Sequence, residues 1–403
     1  MPNVSYLERI LRARVYDVAI ETPLEPAQRL SARLGNRVLI KREDLQPVFS
    51  FKLRGAYNKM IQLDPSQRAR GVITASAGNH AQGVALAAQK LGVRAVIVMP
   101  TTTPSIKVEA VRVFGADARL VGDTYDDAYE HARGLEASEG LTYVHPYDDP
   151  DVIAGQGTVA MEILRQHRGD IDAIFVPVGG GGLIGGVSSY VKHLIPSIKI
   201  IGVEPDDAAC LRAALDAGER VKLPQVGIFA DGVAVRQIGA EGFRIARECV
   251  DDVLTVDADA ICAAIKDIFD DTRSIAEPSG ALALAGLKAY VERSQCRDKT
   301  LIAIDSGANM NFDRLRHVAE RAELGEQREA LFAVTIPERS GAFQHFCQLL
   351  GKLPVTEFNY RYGREDEAQI FVGVGLAGAR QRSEILQNLR DASLPTIDMT
   401  QNE

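Results

Sequence analysis

Nowhere in these 403 residues does an apolar run approach the roughly 20 residues that a helix needs to cross a bilayer. Cysteine is scarce. The five present, Cys210, Cys249, Cys262, Cys296 and Cys347, are widely spaced and form no Cys-x-x-Cys pair. An odd, scattered set argues against a disulfide frame or a zinc site and for reduced thiols in the cytoplasm. The seven histidines form no His-Glu-x-x-His or other ligand pairing, which points away from a transition-metal enzyme. Positive charge is short as well: the net charge is −8 and no Lys/Arg run is sustained, so a nucleic-acid-binding face is not expected. The segment from Met1 to Ile20 carries charges throughout and lacks the apolar block of a secretory signal. Leu7, Ile10, Leu11 and Val15 recur there at helical spacing, which predicts a docking helix.

What is present is the balance of a soluble globular protein, 46% hydrophobic and 25% charged, over a length that favours two or three domains. From Arg37 to about Arg321, short β-branched runs alternate with longer helical patterns. The strand-like runs are 38–40, 72–74, 95–98, 173–176, 200–203 and 301–304. Continuous apolar strands separated by helices predict βαβ units and a mostly parallel sheet covered on both faces. Ligands in such sheets bind at the carboxyl ends of the strands, where Gly and Ser cluster in this chain. Beyond the polar stretch from Glu323 to Glu329, a linker or a helix end, the pattern changes. Strands are expected at 331–336, 355–362, 369–376 and 395–399, and helices at 342–350 and 383–390. That βαββαβ order is a ferredoxin-like α+β module.

Four stretches carry chemistry. In Ser50-Phe51-Lys52-Leu53-Arg54-Gly55-Ala56, one lysine is hemmed by an aromatic ring, a leucine and small residues. An amine partly stripped of water loses its proton readily and attacks carbonyls; the plainer reading is a lysine whose stem packs while its head reaches water. Ser76-Ala77-Gly78-Asn79-His80 follows a strand and opens a helix, either as an anion-binding loop or as a simple N-cap. Gly179-Gly180-Gly181-Gly182 lies between the strand ending near Val178 and a helix beginning near Leu183. It matches neither a dinucleotide fingerprint nor a P-loop, and its strand–glycine–helix setting suits a phosphate cradle better than a linker. Ser306-Gly307-Ala308-Asn309 follows the last strand, so Ser306 is a turn residue or a neutral hydroxyl partner for a ring nitrogen.

A reactive lysine, a phosphate cradle, an Asn/Ser loop and a strand-end serine together describe a site for pyridoxal phosphate (PLP). The sequence resembles the fold type II PLP enzymes, most closely the biosynthetic threonine deaminases (threonine ammonia-lyases). The motifs are Lys-Arg-Glu-Asp at 41–44, SFKLRGA at 50–56, SAGNHAQG at 76–83, AGQGT at 154–158, GGGGL at 179–183, EPSGA at 277–281, SGAN at 306–309 and ELGEQREA at 323–330.

The resemblance implies a two-lobed α/β catalytic domain over residues 1–321, a linker at 322–329, and an α+β ferredoxin-like (ACT-like) regulatory domain over 330–403. It implies that Lys52 holds the cofactor as a Schiff base and later moves protons at the substrate α-carbon. Asn79 would meet the phenolic oxygen of the cofactor, and Ser76, Ala77, Gly78, Asn79 and His80 would bind the substrate carboxylate. Gly179, Gly180, Gly181, Gly182 and Leu183 would cradle the phosphate. Ser306 would face the pyridine nitrogen and, being uncharged, leave it largely unprotonated, which favours prompt β-elimination. Glu277 would lie near the ring in an unassigned role. The implied reaction turns L-threonine into 2-oxobutanoate and ammonia, the first step of isoleucine synthesis. L-serine is a secondary substrate, since one methyl discriminates by only about 1–3 kcal/mol.

The regulatory module implies inhibition by isoleucine, with a bare oligomerisation module as the alternative, and the family implies a homodimer or homotetramer. Long family members carry two such modules; this chain has one and stops where a second would begin, as a natural short form or a truncated piece. A catabolic serine/threonine dehydratase, a racemase, and a non-catalytic amino-acid sensor are the competing readings. Ala77 places no side-chain acid in the anion loop, so weak or no racemase activity is expected.

Overall fold

The computed structural model describes residues 5–400 apart from 327, 365 and 377. The described chain forms two units, one made of 1–258 with 267–311 and the other of 259–266 with 312–403. In the first unit the strands are β1 (Leu24–Pro26), β2 (Arg37–Arg42), β3 (Val72–Ala75), β4 (Ala95–Met99) and β5 (Asp117–Leu120). They continue with β6 (Thr142–Tyr143), β7 (Ala173–Pro177), β8 (Lys199–Pro205), β9 (Asp252–Val256) and β10 (Thr300–Asp305).

They divide into two sheets. One has the order β1-β2-β10-β7-β8-β9 and is parallel except for β1; the other, β5-β4-β3-β6, is parallel throughout. Central strands such as β4 and β7 are buried at every residue, as parallel strands covered by helices on both faces must be. The six strands expected here are all found. The four not expected, β1, β5, β6 and β9, lie at sheet edges. They are short or polar-facing: β6 has two residues, and β5 is nowhere buried. β1, β5 and β6 bury too little apolar surface to leave a pattern in the sequence, whereas β9 does bury Val253, Leu254 and Val256 and was missed despite them.

The N-terminal docking helix is shorter than its spacing suggested. The helix covers Tyr6–Leu11 and leaves Leu11 exposed, while Val15 is buried in a following turn. Ile10 is the fully buried residue of this helix, in a core with Val159 and Ile163, and Tyr6 and Leu7 pack against the same core half-buried. Met1 to Val4 fall outside the described residues.

The second unit holds β11 (Glu329–Pro337), β12 (Val355–Arg364), β13 (Glu367–Gly375) and β14 (Thr396–Asp398), with helices Ala342–Leu350 and Ala379–Asp391. The sheet order β12-β13-β11-β14 is antiparallel throughout, which is the expected ferredoxin-like module. β11 alternates half-buried and buried residues, so Phe332, Val334 and Ile336 face a core with Phe346, Ile370 and Val372. The polar stretch from Glu323 to Glu329 contains the end of helix Leu315–Gly325 and the first residue of β11; Gln327 within it lies outside the described residues.

Candidate active site

The chemistry gathers where β7 and β10 end, in a cleft of about 480 Å3. It is lined by Lys52, Asn79, the run Gly179 to Leu183, and Ser306. Phe51, Tyr147, Gly232, Glu277 and Ser279 complete most of the wall. Lys52 is the first residue of helix Lys52–Met60. Its ammonium makes one hydrogen bond, 3.3 Å to the carbonyl of Pro146, and stands 5.3 Å from the centre of the Phe51 ring. Burial pulls its pKa down to about 8, against the opposing pull of the Glu277 carboxylate. Lys52 is therefore a lysine short of water and of partners.

β7 runs into the glycines that line the same cleft and then into helix Gly182–Leu194. No acceptor among the described residues meets the backbone N–H groups of Gly179 through Leu183. Unpaired N–H groups at a helix start are an anion site. Gly181 has φ +93°, and a Cβ on Gly180 would lie inside the Tyr147 ring, so both positions demand glycine.

Asn79 opens helix Asn79–Leu91. Its amide nitrogen donates to Glu277 Oε1 at 2.5 Å, and its oxygen accepts from Asn309 at 2.6 Å. Burial raises Glu277 to about 7, helped by Asp231 and opposed by the Asn79 hydrogen bond. At the end of β10, Ser306 donates to the Ser279 carbonyl at 3.1 Å. The Ser279 hydroxyl is buried in the same wall with no hydrogen-bond partner among the described residues.

Ser76, Ala77 and Gly78 form the half-buried turn before Asn79, where the Ser76 hydroxyl accepts from the Gly78 N–H at 3.3 Å. None of the three lines the cleft wall. His80 is buried, and its Nε2 lies 2.9 Å from the Val144 carbonyl, which can only accept, so Nε2 carries the proton. Burial, with Lys52 adding to it, drops the His80 pKa to about 3, leaving a neutral ring whose Nδ1 has no partner among the described residues. Sequence reasoning passed over Tyr147, Gly232, Ser279 and Asn309. Ser279 and Asn309 lie inside motifs already singled out, so a polar residue next to Glu277 or Ser306 was the available signal. Tyr147 and Gly232 follow no motif and are brought in by the fold.

A free amine, unmet N–H donors in the same cleft, and a buried hydroxyl without a partner fit a phosphorylated aromatic aldehyde.

Comparison with known proteins agrees. Residues 15–307 match the family model described as pyridoxal-phosphate dependent enzyme, and 320–403 match the C-terminal regulatory domain of threonine dehydratase. The chain is similar to the biosynthetic L-threonine dehydratase of Burkholderia multivorans, 59% identical over all of this chain and 80% of that one. The chain is also similar to the processed form of threonine deaminase isoform 2 from Solanum lycopersicum. That match has 55% identity and a TM-score of 0.78, and covers 79% of this chain and 88% of that one. It is also similar to maize serine racemase, with 33% identity and a TM-score of 0.74, covering 79% of this chain and 97% of that one.

Proposed function

This chain belongs to the pyridoxal-phosphate dependent enzymes, among the biosynthetic threonine dehydratases, and we propose which of its residues carry the reaction. It is a PLP-dependent threonine ammonia-lyase that converts L-threonine to 2-oxobutanoate and ammonia. When bound, PLP supplies an aldehyde that captures an amino group and a ring that accepts electrons released at the neighbouring carbon.

The observation that carries the reading is that Lys52, a partly desolvated amine, lines the same cleft as the unmet N–H groups of Gly179 to Leu183. Lys52 would hold the aldehyde of PLP and, as a free amine in the cleft, would take the α-proton of threonine. Gly179 to Leu183 hold the phosphate by their backbone. Asn79 donates to the phenolic oxygen, and Ser306, with Ser279 beside it, faces the ring nitrogen. The turn from Ser76 to Asn79 takes the substrate carboxylate. His80 would add its backbone N–H to that turn rather than its ring, because its ring proton is held by Val144.

The domain division follows the same reading: a catalytic domain at 1–321, a linker at 322–329 and a regulatory domain at 330–403, with the first boundary inside helix Leu315–Gly325. The effector is isoleucine, L-serine is a secondary substrate, and the assembly is a homodimer or homotetramer. The five free cysteines support a reducing, cytoplasmic setting. No described helix is long and apolar enough to cross a membrane. The high identity to biosynthetic dehydratases does not favour a catabolic dehydratase, a racemase or a sensor.

The test is the visible spectrum of PLP-loaded protein followed through addition of L-threonine, with 2-oxo acid release measured alongside. A bound, coloured cofactor that turns threonine over supports the assignment. A protein that PLP cannot load overturns the role given to Lys52. Unchanged threonine kinetics across an isoleucine titration would remove the effector assignment.

A further inference from the structure

Asn309 belongs to the SGAN motif, yet no function so far uses it. Its side-chain nitrogen donates 2.9 Å to the Val48 carbonyl and 2.6 Å to Asn79 Oδ1. Asn79 in turn donates 2.5 Å to Glu277 Oε1. The direction of this chain of bonds is determined from both ends. A backbone carbonyl only accepts, so the nitrogen of Asn309 must face Val48; that same nitrogen faces Asn79, which must therefore present its oxygen. From the other end, the Glu277 carboxylate accepts, so Asn79 must present its nitrogen there. Both ends call for the same orientation of the Asn79 amide. One amide hydrogen of Asn79 is used on Glu277 and the second is left for the cleft that Asn79 lines.

Asn309 also ties this amide to the approach of Lys52. Val48 lies four residues before the lysine, and residues 306–308 pair with 49–51. Ala308 donates to the Phe49 carbonyl at 2.9 Å, Phe51 donates to the Ser306 carbonyl at 3.3 Å, and Ser50 bridges Gly307. Phe49 sits at φ 54°, a left-handed conformation that a bulky residue adopts only where its surroundings hold it.

We propose that Asn309 and Glu277 are positioning residues that lock the Asn79 amide in one orientation, so that its second N–H is presented to the phenolic oxygen of PLP. This rests on the reading of Asn79 given above. Asn309 enforces the orientation by donating to the Asn79 oxygen, and Glu277 by accepting from the nitrogen. Glu277 thus has a part in the site without contact to the substrate.

The experiment uses the full chain with PLP as the probe. The variants are Asn309→Asp, which keeps the shape but removes the donor, and Asn79→Ala. The readouts are the PLP dissociation constant, the visible band of the bound cofactor and its pH titration; a residue serving only stability would not move the last two. Asn309→Asp is expected to weaken PLP by about tenfold, the scale of one hydrogen bond to a charged group, and to change the visible band in the same direction as Asn79→Ala. Should Asn309→Asp not fold, Asn309→Ala is measured in its place. An Asn309 variant with wild-type affinity and spectrum beside a perturbed Asn79→Ala overturns the proposal. If Asn79→Ala is itself unperturbed, the Asn79 reading fails and the proposal falls with it.

Discussion

Lys52 and Arg54 stand two residues apart on one helix, and their surroundings are opposites. Arg54 is fully buried, as are Lys41, Glu43 and Glu162 around it, two cations with two anions. The guanidinium meets Glu43 at 2.7 and 2.8 Å, Glu162 at 2.6 and 3.0 Å, Thr158 at 3.0 Å and the Ile20 carbonyl at 3.2 Å. Lys41 likewise donates to the Thr22 carbonyl, Glu162 and Gln166. Burial would push Glu43 up, but Arg54 and Lys41 outweigh it and hold the carboxyl below its ordinary value. Burial would also push Arg54 down, and Glu43 and Glu162 together raise it instead.

Every donor on Arg54 and Lys41 is engaged, so nothing there remains for a ligand. The cleft is built the other way. Among the described residues, Lys52 has one weak hydrogen-bond partner, the Ser279 hydroxyl has none, and the glycine N–H groups have none. One helix thus carries a completed charge network that fixes its position, and an incomplete polar set that a cofactor can complete. Unmet polar groups, rather than buried charge as such, mark the functional region.

The largest effect should come from Lys52→Ala. Turnover of threonine, read as 2-oxo acid release, is expected to fall at least about a thousandfold. The urea midpoint of the same variant should stay near that of the parent, since a single weak hydrogen bond is lost. Substantial residual turnover would break the contrast at its functional end.

Arg54→Met tests the structural end. Leaving Glu43 and Glu162 buried with Lys41 as their one remaining cation is expected to cost about 3–5 kcal/mol, read as a lowered urea midpoint. A variant as stable as the parent would mean that the network does not hold the helix.

Gly180→Ala should weaken PLP binding by roughly tenfold, because the new methyl must displace the Tyr147 ring from the cleft wall. Equilibrium dialysis against PLP measures it.

The smallest effect is a shift in titration. In PLP-free protein, acylation of Lys52 should rise with pH through about 8, because burial disfavours the ammonium and frees the amine early. Near neutral pH its neutral fraction is therefore well above that of an ordinary lysine. Glu277→Gln removes the carboxylate that supports the charged form, so this inflection should move lower. Glu277 also titrates high, near 7, when folded. A carboxyl raised above its unfolded value contributes stability at low pH and loses it as pH rises through the folded value. Glu277→Gln should therefore gain in relative urea midpoint above pH 7 and not below pH 4. A site-mapped acylation profile with its inflection near 10 would show that Lys52 is ordinarily solvated.

Much was legible in the sequence because much of it is local. Continuous apolar strands announced the parallel sheets, alternation along 331–336 announced the antiparallel module, and the glycine run announced the turn from β7 into a helix, since each depends on neighbours in the chain. The edge strands β5, β6 and β9 and the short N-terminal helix were hidden or misjudged, because their formation depends on partners elsewhere.

By itself the sequence determined the element types, the lysine, the glycine run and the serine after β10, all of them matters of residue type and spacing. Only the tertiary structure decided which polar groups are satisfied. Lys52 and Arg54 share a helix and a motif, yet Arg54 reaches Glu162, 108 residues away, while Lys52 finds one carbonyl. Asn79 is oriented by Glu277 and Asn309, 198 and 230 residues away. The state of a buried charge or amide is set by what lies within about 3 Å of it, and in this chain those neighbours are brought from distant segments by the packing of strands and helices.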